Sequence, residues 1–262
     1  MLEGGRIFAD PLAARILGRS LGEIAEDAAA NPDRRGMRLF IAARTRFAED
    51  AAATAVAAGA RQLVVLGAGL DTFAYRHPHQ AAGLRVFEVD HPATQAWKRE
   101  RLAQAGIEPP ASLTYSPVDF EREALGEGLR AAGFDPGRSS VFLWLGVVPY
   151  LTAEAAMATL GYIAALAGGA VVVFDYADPA ELLSPDQKAA RTHRAARVAA
   201  WGEPWLSYFT AEALAGDLRA LGFTSIEDLD PARISARYFG APAPAGPSYG
   251  GHIIRAATLD FA

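Results

Sequence analysis

Two glycines and a series of acids at the ends of apolar runs mark where this chain could do chemistry. Gln62-Leu63-Val64-Val65-Leu66 reads as a buried strand and breaks into Gly67-Ala68-Gly69-Leu70-Asp71-Thr72. In an open α/β sheet, a turn at the carboxyl edge of the first strand is a place where ligands bind. Glycine at 67 and 69 allows backbone angles and a close approach that a Cβ would forbid. Asp90 ends a second run, Leu84–Asp90, at the spacing where a Rossmann-like domain puts the carboxylate for ribose hydroxyls. Its alternative is a helix N-cap, since His91-Pro92 follows. Asp119-Phe120 ends a third run in the same way. Arg44 lies four residues after Phe40 and three before Phe47, on an apolar helical stripe. It needs an anion there, because an unpaired buried charge is expensive. Otherwise it snorkels to the rim or pairs with a structural carboxylate.

Two ligands compete for the glycine turn. A dinucleotide wants G-x-G-x-x-G/A, whose third small residue lets the helix pack under a pyrophosphate. Here the third glycine is missing, and Asp71 sits where the pyrophosphate would lie, so the two would repel. The turn therefore favours a cofactor with a cationic amine and no phosphate. S-adenosylmethionine, with an ammonium, a sulfonium, a carboxylate and a ribose diol, has that character.

The elements that must position these residues alternate. Asp10-Pro11 opens a short helix, with Asp10 as N-cap, and Asn31-Pro32 opens a long one from about residue 33 to 58, with Met37, Phe40, Ile41, Phe47, Ala48, Ala51 and Ala55 on one face. After the second strand a helix runs from about residue 93 to 105. A third strand spans about 113–118, followed by a helix from residue 121 to about 132. A fourth strand, Ser140–Leu145, continues into Gly146-Val147-Val148-Pro149-Tyr150, and Thr152 caps the next helix. A fifth covers residues 170–174 and ends at Asp175-Tyr176. Residues 177–209 break the rhythm with an Arg/His-rich helix (Lys188, Arg191, His193, Arg194, Arg197) and the aromatics Trp201, Trp205, Tyr208 and Phe209. Thr210 caps a further helix, and strands at 224–229 and 252–257 close the chain. The pattern predicts one doubly wound α/β domain over residues 1–262, with 1–60 as a helical cover and 177–209 as a substrate lid inserted between strands 5 and 6.

Composition narrows the classes. The chain has 262 residues, 51% hydrophobic and 21% charged, an ordinary globular balance. A net charge of −5 gives no footprint for nucleic acid. The absence of cysteine removes thiolate metal sites and cysteine nucleophiles, and no metal site is expected. There is no apolar run of membrane-spanning length and no signal-peptide layout, so a cytoplasmic location without membrane partners is expected.

Arg44-Thr45-Arg46-Phe47, Leu66–Thr72, Phe87-Glu88-Val89-Asp90-His91-Pro92, Val118-Asp119-Phe120 and Trp144–Leu151 occur in order. Together with Gly202-Glu203-Pro204-Trp205 and Gly251–Ala256 they resemble the leucine carboxyl methyltransferase family, above all its bacterial S-adenosylmethionine-dependent members. The resemblance implies a Rossmann-like class I methyltransferase, with a seven-stranded, mostly parallel sheet whose last strand is antiparallel. It implies that Arg44 binds the methionyl carboxylate and that Gly67, Ala68 and Gly69 line the methionyl moiety with Asp71 nearby. Asp90 would take the ribose, with Glu88 of the same motif counted in the site, and Asp119 and Phe120 would flank the adenine. Many relatives carry a glutamate where this chain has Leu145, beside the cofactor. They also usually carry a further helix before the equivalent of Phe8-Ala9-Asp10-Pro11.

The expected reaction is methyl transfer to an oxygen of a small acceptor, a carboxylate or a hydroxyl. The alternatives are a dinucleotide-dependent oxidoreductase and a non-catalytic S-adenosylmethionine-binding protein. Transfer from a sulfonium is an in-line displacement, so alignment supplies much of the acceleration. A carboxylate acceptor needs no base, whereas a hydroxyl benefits from one. His193 is the candidate base, set among cations that would keep it neutral; its alternative is a solvated helix face. Tyr150 and Tyr176, at strand ends, could orient the acceptor or fill the core. The cations and aromatics of 177–209 would suit an anionic or aromatic small molecule.

Overall fold

Apolar β-branched runs, glycine punctuation and side-chain helix caps divide this chain into alternating strands and helices. The computed structural model describes residues 5–119, 123–200, 202 and 204–259. Its contacts cluster into two units, residues 1–141 and 142–262, with the division inside a strand.

The first unit begins with α1 (Ala13–Leu17), α2 (Leu21–Ala30) and α3 (Arg35–Ala57). Asp10 caps the first of these from further out than expected: Leu12 is the N-cap, and Oδ1 of Asp10 accepts from the N–H groups of Leu12 and Ala13 at 2.8 and 3.1 Å. α2 was not expected. Its start was legible, since Ser20 and Glu23 form a reciprocal capping box. α3 spans 23 residues, about 34 Å of helix. Its C-terminal half buries Phe47, Ala48, Ala51, Ala52, Ala55 and Val56. Met37 and Ile41, expected on the same buried stripe, are 37% and 43% exposed; 3.6-residue spacing defines a face, not what covers it.

Then follow β1 (Gln62–Leu66), α4 (Phe73–Arg76), β2 (Arg85–Asp90), α5 (Pro92–Gln104), β3 (Leu113–Pro117), α6 (Leu125–Ala131) and β4 (Ser140–Trp144), the strand that holds the division. β2 pairs in parallel with β1 and with β3, Leu66 opposite Val89 and Asp90 opposite Pro117, so the carboxyl ends of the three strands are level. All five residues of β1 are buried, as a strand covered on both faces requires. Ile16 of α1 packs with Leu102 and Ile107, and Leu70 of the glycine turn joins that cluster.

The second unit continues with α7 (Ala153–Ala164), β5 (Ala170–Ala177), α8 (Pro185–Ala199), α9 (Ala211–Leu221), β6 (Ser225–Leu229), α10 (Pro231–Phe239) and β7 (Gly251–Ala257). Thr152 and Thr210 cap their helices as expected, each accepting from the third residue onward. α10 was not expected, although Asp230-Pro231 gives it an N-cap and a proline at its first position. β7 runs antiparallel to both β5 and β6. The seven strands form one sheet ordered β3-β2-β1-β4-β5-β7-β6. Among the described residues, no helix is long and apolar enough to cross a membrane.

Candidate functional site

At the end of β1 the chain turns through two left-handed glycines, Gly67 at φ +65° and Gly69 at φ +42°, the conformation that L side chains disfavour. The turn is fixed against the end of β2. The N–H groups of Gly67 and Ala68 donate to the carbonyl of Val89 at 2.9 and 3.2 Å. Gly69 N–H donates to Oδ2 of Asp90 at 2.6 Å, and Oδ1 of Asp90 accepts from His91 N–H at 2.7 Å. His91, not Asp90, caps α5, with Nδ1 accepting from Ala93 N–H. Asp90 is thus oriented by two backbone donors and half-buried at the rim.

Asp71 and Asp119 complete with Asp90 a row of half-buried acids at or just beyond the ends of β1, β2 and β3. Asp71 closes the turn through its N–H to Ala68 O at 2.7 Å and caps α4 by accepting from Phe73 N–H at 2.7 Å. Asp119 donates its N–H to Glu123 at 2.9 Å. Phe120 lies outside the described residues.

Glu88 sits on the same face of β2 as Asp90, two residues earlier, with no exposed surface. Its Oε2 is 2.8 Å from Lys98 Nζ, and both side chains are 1% exposed. Nζ of Lys98 also lies 5.5 Å from the ring centroid of Tyr75, whose hydroxyl is 2.7 Å from that of Tyr115. Burial pushes the Glu88 carboxyl up to about 7; Lys98 opposes the rise, and Asp71 and Asp90 add to it. The resemblance places Glu88 in the ligand site, whereas the structure buries it and leaves it no surface for a ligand. The motif that holds Glu88 does not reveal the lysine ten residues later that pairs with it.

Arg44 lies half-buried on α3 between buried Ala43 and Phe47. One turn further, Glu49 receives a two-pronged contact from Arg76 of α4, at 3.0 and 2.5 Å. Arg76 also donates to Thr72 Oγ1 at 2.9 Å, and Thr72 donates to Asp10 at 2.6 Å. Burial lowers the Arg76 pKa, but Glu49, Asp10 and Asp71 outweigh that and raise it. This charged frame ties α3 and the segment before α1 to the far side of the glycine turn. Sequence reading missed it because its members are 62 and 27 residues apart.

In the second unit, Leu145 is half-buried and precedes Gly146, which has φ +73° and donates its N–H to Oδ1 of Asp175 at 2.6 Å. Asp175 is 6% exposed, so a buried carboxylate from β5 meets the backbone beside Leu145. Tyr150 is half-buried in the 3₁₀ turn Val148–Tyr150. That turn is held by residues 206–207: Leu206 N–H donates to Pro149 O at 2.7 Å and Ser207 Oγ to Val148 O at 2.9 Å.

Tyr176 does not end a strand, because β5 runs on to Ala177. It is 2% exposed, stacks on His252 with centroids 4.7 Å apart, and donates its hydroxyl to Asp228. Burial, then Asp228, holds its pKa well above the ordinary phenol value. His252 lies between two carboxylates, Nδ1 2.9 Å from Asp228 and Nε2 2.9 Å from Asp178. Burial lowers the His252 pKa, but Asp228 and Asp178 outweigh it and raise it. Tyr176 therefore belongs to a buried network rather than to an open pocket. His193 is exposed on α8, its solvated alternative, while Arg191, Arg194 and Arg197 are half-buried.

The parallel strands with their row of acids, and the antiparallel β7 between β5 and β6, define an α/β protein of the Rossmann-like methyltransferase class. The chain belongs to the leucine carboxyl methyltransferase family, whose model matches residues 3–164. It is 35% identical over 198 residues to a Bacillus subtilis (strain 168) protein named "Putative S-adenosyl-L-methionine-dependent methyltransferase YktD", covering 75% of this chain and 65% of that protein. A similarly named protein of Mycolicibacterium gilvum is 42% identical over 137 residues, 52% of this chain and 44% of its own length. The chain thus spans less than two thirds of these relatives. In fold it is similar to the crystal structure of Haemonchus contortus phosphoethanolamine N-methyltransferase 2 in complex with S-adenosyl-L-methionine, with a TM-score of 0.51 and 13% identity over 81% of this chain and 53% of that one.

Proposed function

We propose that this protein binds S-adenosylmethionine and transfers its methyl group to an oxygen of a small-molecule acceptor. The observation that carries the reading is the acid row, Asp71, Asp90 and Asp119, around a glycine turn whose Gly69 N–H is already given to Asp90. Carboxylates in these places fit a cationic ligand with a ribose diol and repel a diphosphate, which disfavours the dinucleotide alternative. When bound, the cofactor supplies an electrophilic methyl on sulfur.

The chain's own groups then bind and orient. Arg44 would hold the methionyl carboxylate. Gly67, Ala68 and Gly69 would pass their backbone close to the methionyl chain, and Asp71 would face its ammonium. Asp90 would accept from the ribose hydroxyls, and Asp119 would border the adenine with Phe120. Leu145 would contribute an apolar wall. Residues 1–60 would serve as the cover and 177–209 as the acceptor lid. His193 faces solvent and the Tyr176 hydroxyl is engaged, which supports an acceptor that is already an anion, a carboxylate, over a hydroxyl requiring a base. Tyr150 remains the group for orienting it.

The test is calorimetry with S-adenosylhomocysteine. Arg44→Ala and Asp90→Ala each remove charge-assisted hydrogen bonds of about 1.5–3 kcal/mol, which is about a 10- to 100-fold loss of affinity. Unchanged affinity in both variants would refute the site.

A further inference from the structure

The cations of α8 are unevenly placed. The helix is capped by a reciprocal Ser184–Gln187 box. Arg191, Arg194 and Arg197 recur every third residue and are half-buried, whereas Lys188, Thr192, His193 and Ala196 are exposed. Arg191 is anchored within the unit: Nη1 donates to Asp178 O at 2.7 Å, and its guanidinium lies 4.8 Å from the ring centroid of Tyr208. Arg194 and Arg197 are not. The Nε–H of each is buried with no hydrogen-bond partner among the described residues. Burial lowers the Arg194 pKa, and among the described residues the charges that add to this are those of Arg197 and Arg191, with no carboxylate opposing them.

This is an unfavourable arrangement in a protein of net charge −5. Like charges three or four residues apart on a helix repel, and a buried N–H without an acceptor loses its hydration unrewarded. Both defects are removed by one event, the arrival of anionic oxygens. Guanidinium forks match carboxylate and phosphate geometry. Six residues of helix set the first and third arginines about 9 Å apart along the axis, so a single small monoanion cannot serve all three.

We propose that Arg191, Arg194 and Arg197 form a recognition site for a small molecule bearing at least two carboxylate or phosphate groups, with Tyr208 beside its first charge. Resting on the methyltransferase reading above, this molecule is the methyl acceptor.

The experiment is calorimetry on the full chain with inorganic pyrophosphate and with tricarballylate, against acetate at matched ionic strength. S-adenosylhomocysteine is titrated into the same preparations. The proposal expects saturable binding of at least one polyanion and none of acetate. It expects at least a tenfold loss in Arg194→Gln/Arg197→Gln, and less than a twofold change in Lys188→Gln, which removes an exposed charge from the same helix. The ligand-free double variant melts at or above the wild-type temperature, because repulsion has been relieved. Absence of saturable polyanion binding, an equal loss in Lys188→Gln, or a double variant that melts several degrees lower overturns the site. Polyanion binding that depends on the two arginines, without any S-adenosylhomocysteine binding, keeps the anchor and removes the cofactor reading.

Discussion

Lys98→Met isolates the buried charge of Glu88, two residues before Asp90 on β2. The substitution keeps the length and the apolar stem of a side chain that is 1% exposed and removes only the ammonium 2.8 Å from Glu88. Even with Lys98 in place, the Glu88 carboxyl is raised from 4.5 to about 7. At about 1.4 kcal/mol per pH decade, keeping it ionised in the folded chain costs about 3 kcal/mol. Without the lysine, Glu88 is left with Asp71 and Asp90, which push the same way. Breaking a buried pair on one side costs about 3–5 kcal/mol, and at about 2–4 °C per kcal/mol for a chain of this size the melting temperature falls by about 6–20 °C at pH 8.

The pH dependence fixes the cause. A carboxyl whose folded pKa exceeds its unfolded one contributes stability that is complete below the unfolded value and lost as pH rises through the folded value. For wild type that window runs from 4.5 to about 7; in Lys98→Met it extends higher. Scanning calorimetry from pH 5 to 8 should therefore show the gap between variant and wild type widening with pH. Glu88→Gln/Lys98→Met should recover much of the loss, since replacing both partners of a buried pair with neutral groups is often near neutral. A deficit below about 1 kcal/mol, or one that does not change with pH, would refute the claim that Lys98 compensates a buried charge.

His252→Asn should behave with a different pH window. The His252 pKa is raised by Asp228 and Asp178, so its stabilisation is present below about 6.5 and disappears as pH rises through the folded value. The variant should melt well below wild type at pH 6, with the gap narrowing as pH rises through the folded value; a constant gap in thermal melts would contradict a His252 pKa raised by the two carboxylates. Gly69→Ala meets open space, its added Cβ having Gly67 O at 3.9 Å as neighbour, but adopts φ +42°. The cost is backbone strain of about 1–2 kcal/mol, read as a melting temperature lower by about 2–8 °C and as weakened S-adenosylhomocysteine binding. A variant that melts and binds like wild type would show that the turn does not need glycine here.

Local rules make much of this chain legible in its sequence. β1, β2, β4 and β5 are apolar runs, and the glycine turn with φ +65° and +42° lies where two glycines after a strand put it. The caps at Thr152 and Thr210 involve residues three apart. Such features depend on neighbours in the chain, so periodicity and side-chain chemistry suffice. α2 and α10 were missed even though Ser20-Leu21-Gly22-Glu23 and Asp230-Pro231 signal their starts by the same rules.

What the sequence could not determine is which charges are neutralised, and by which partners. Glu88 and Asp90 stand two residues apart in one motif, yet one is sealed against Lys98 and the other turned to the rim by Gly69 N–H. Tyr176 reads as a strand-end hydroxyl until His252, 76 residues later, stacks on it. Met37 and Ile41 carry the helical spacing of core residues and remain exposed. On α8 one composition of cations divides into an exposed His193 and a half-buried arginine face. Desolvation and pairing set these roles, and both come from other elements of the fold, from ten residues away for Lys98 to 76 for His252. Local chemistry sets the strands, the turn and the inventory of acids and cations; tertiary packing sets which of those charges are buried against one another.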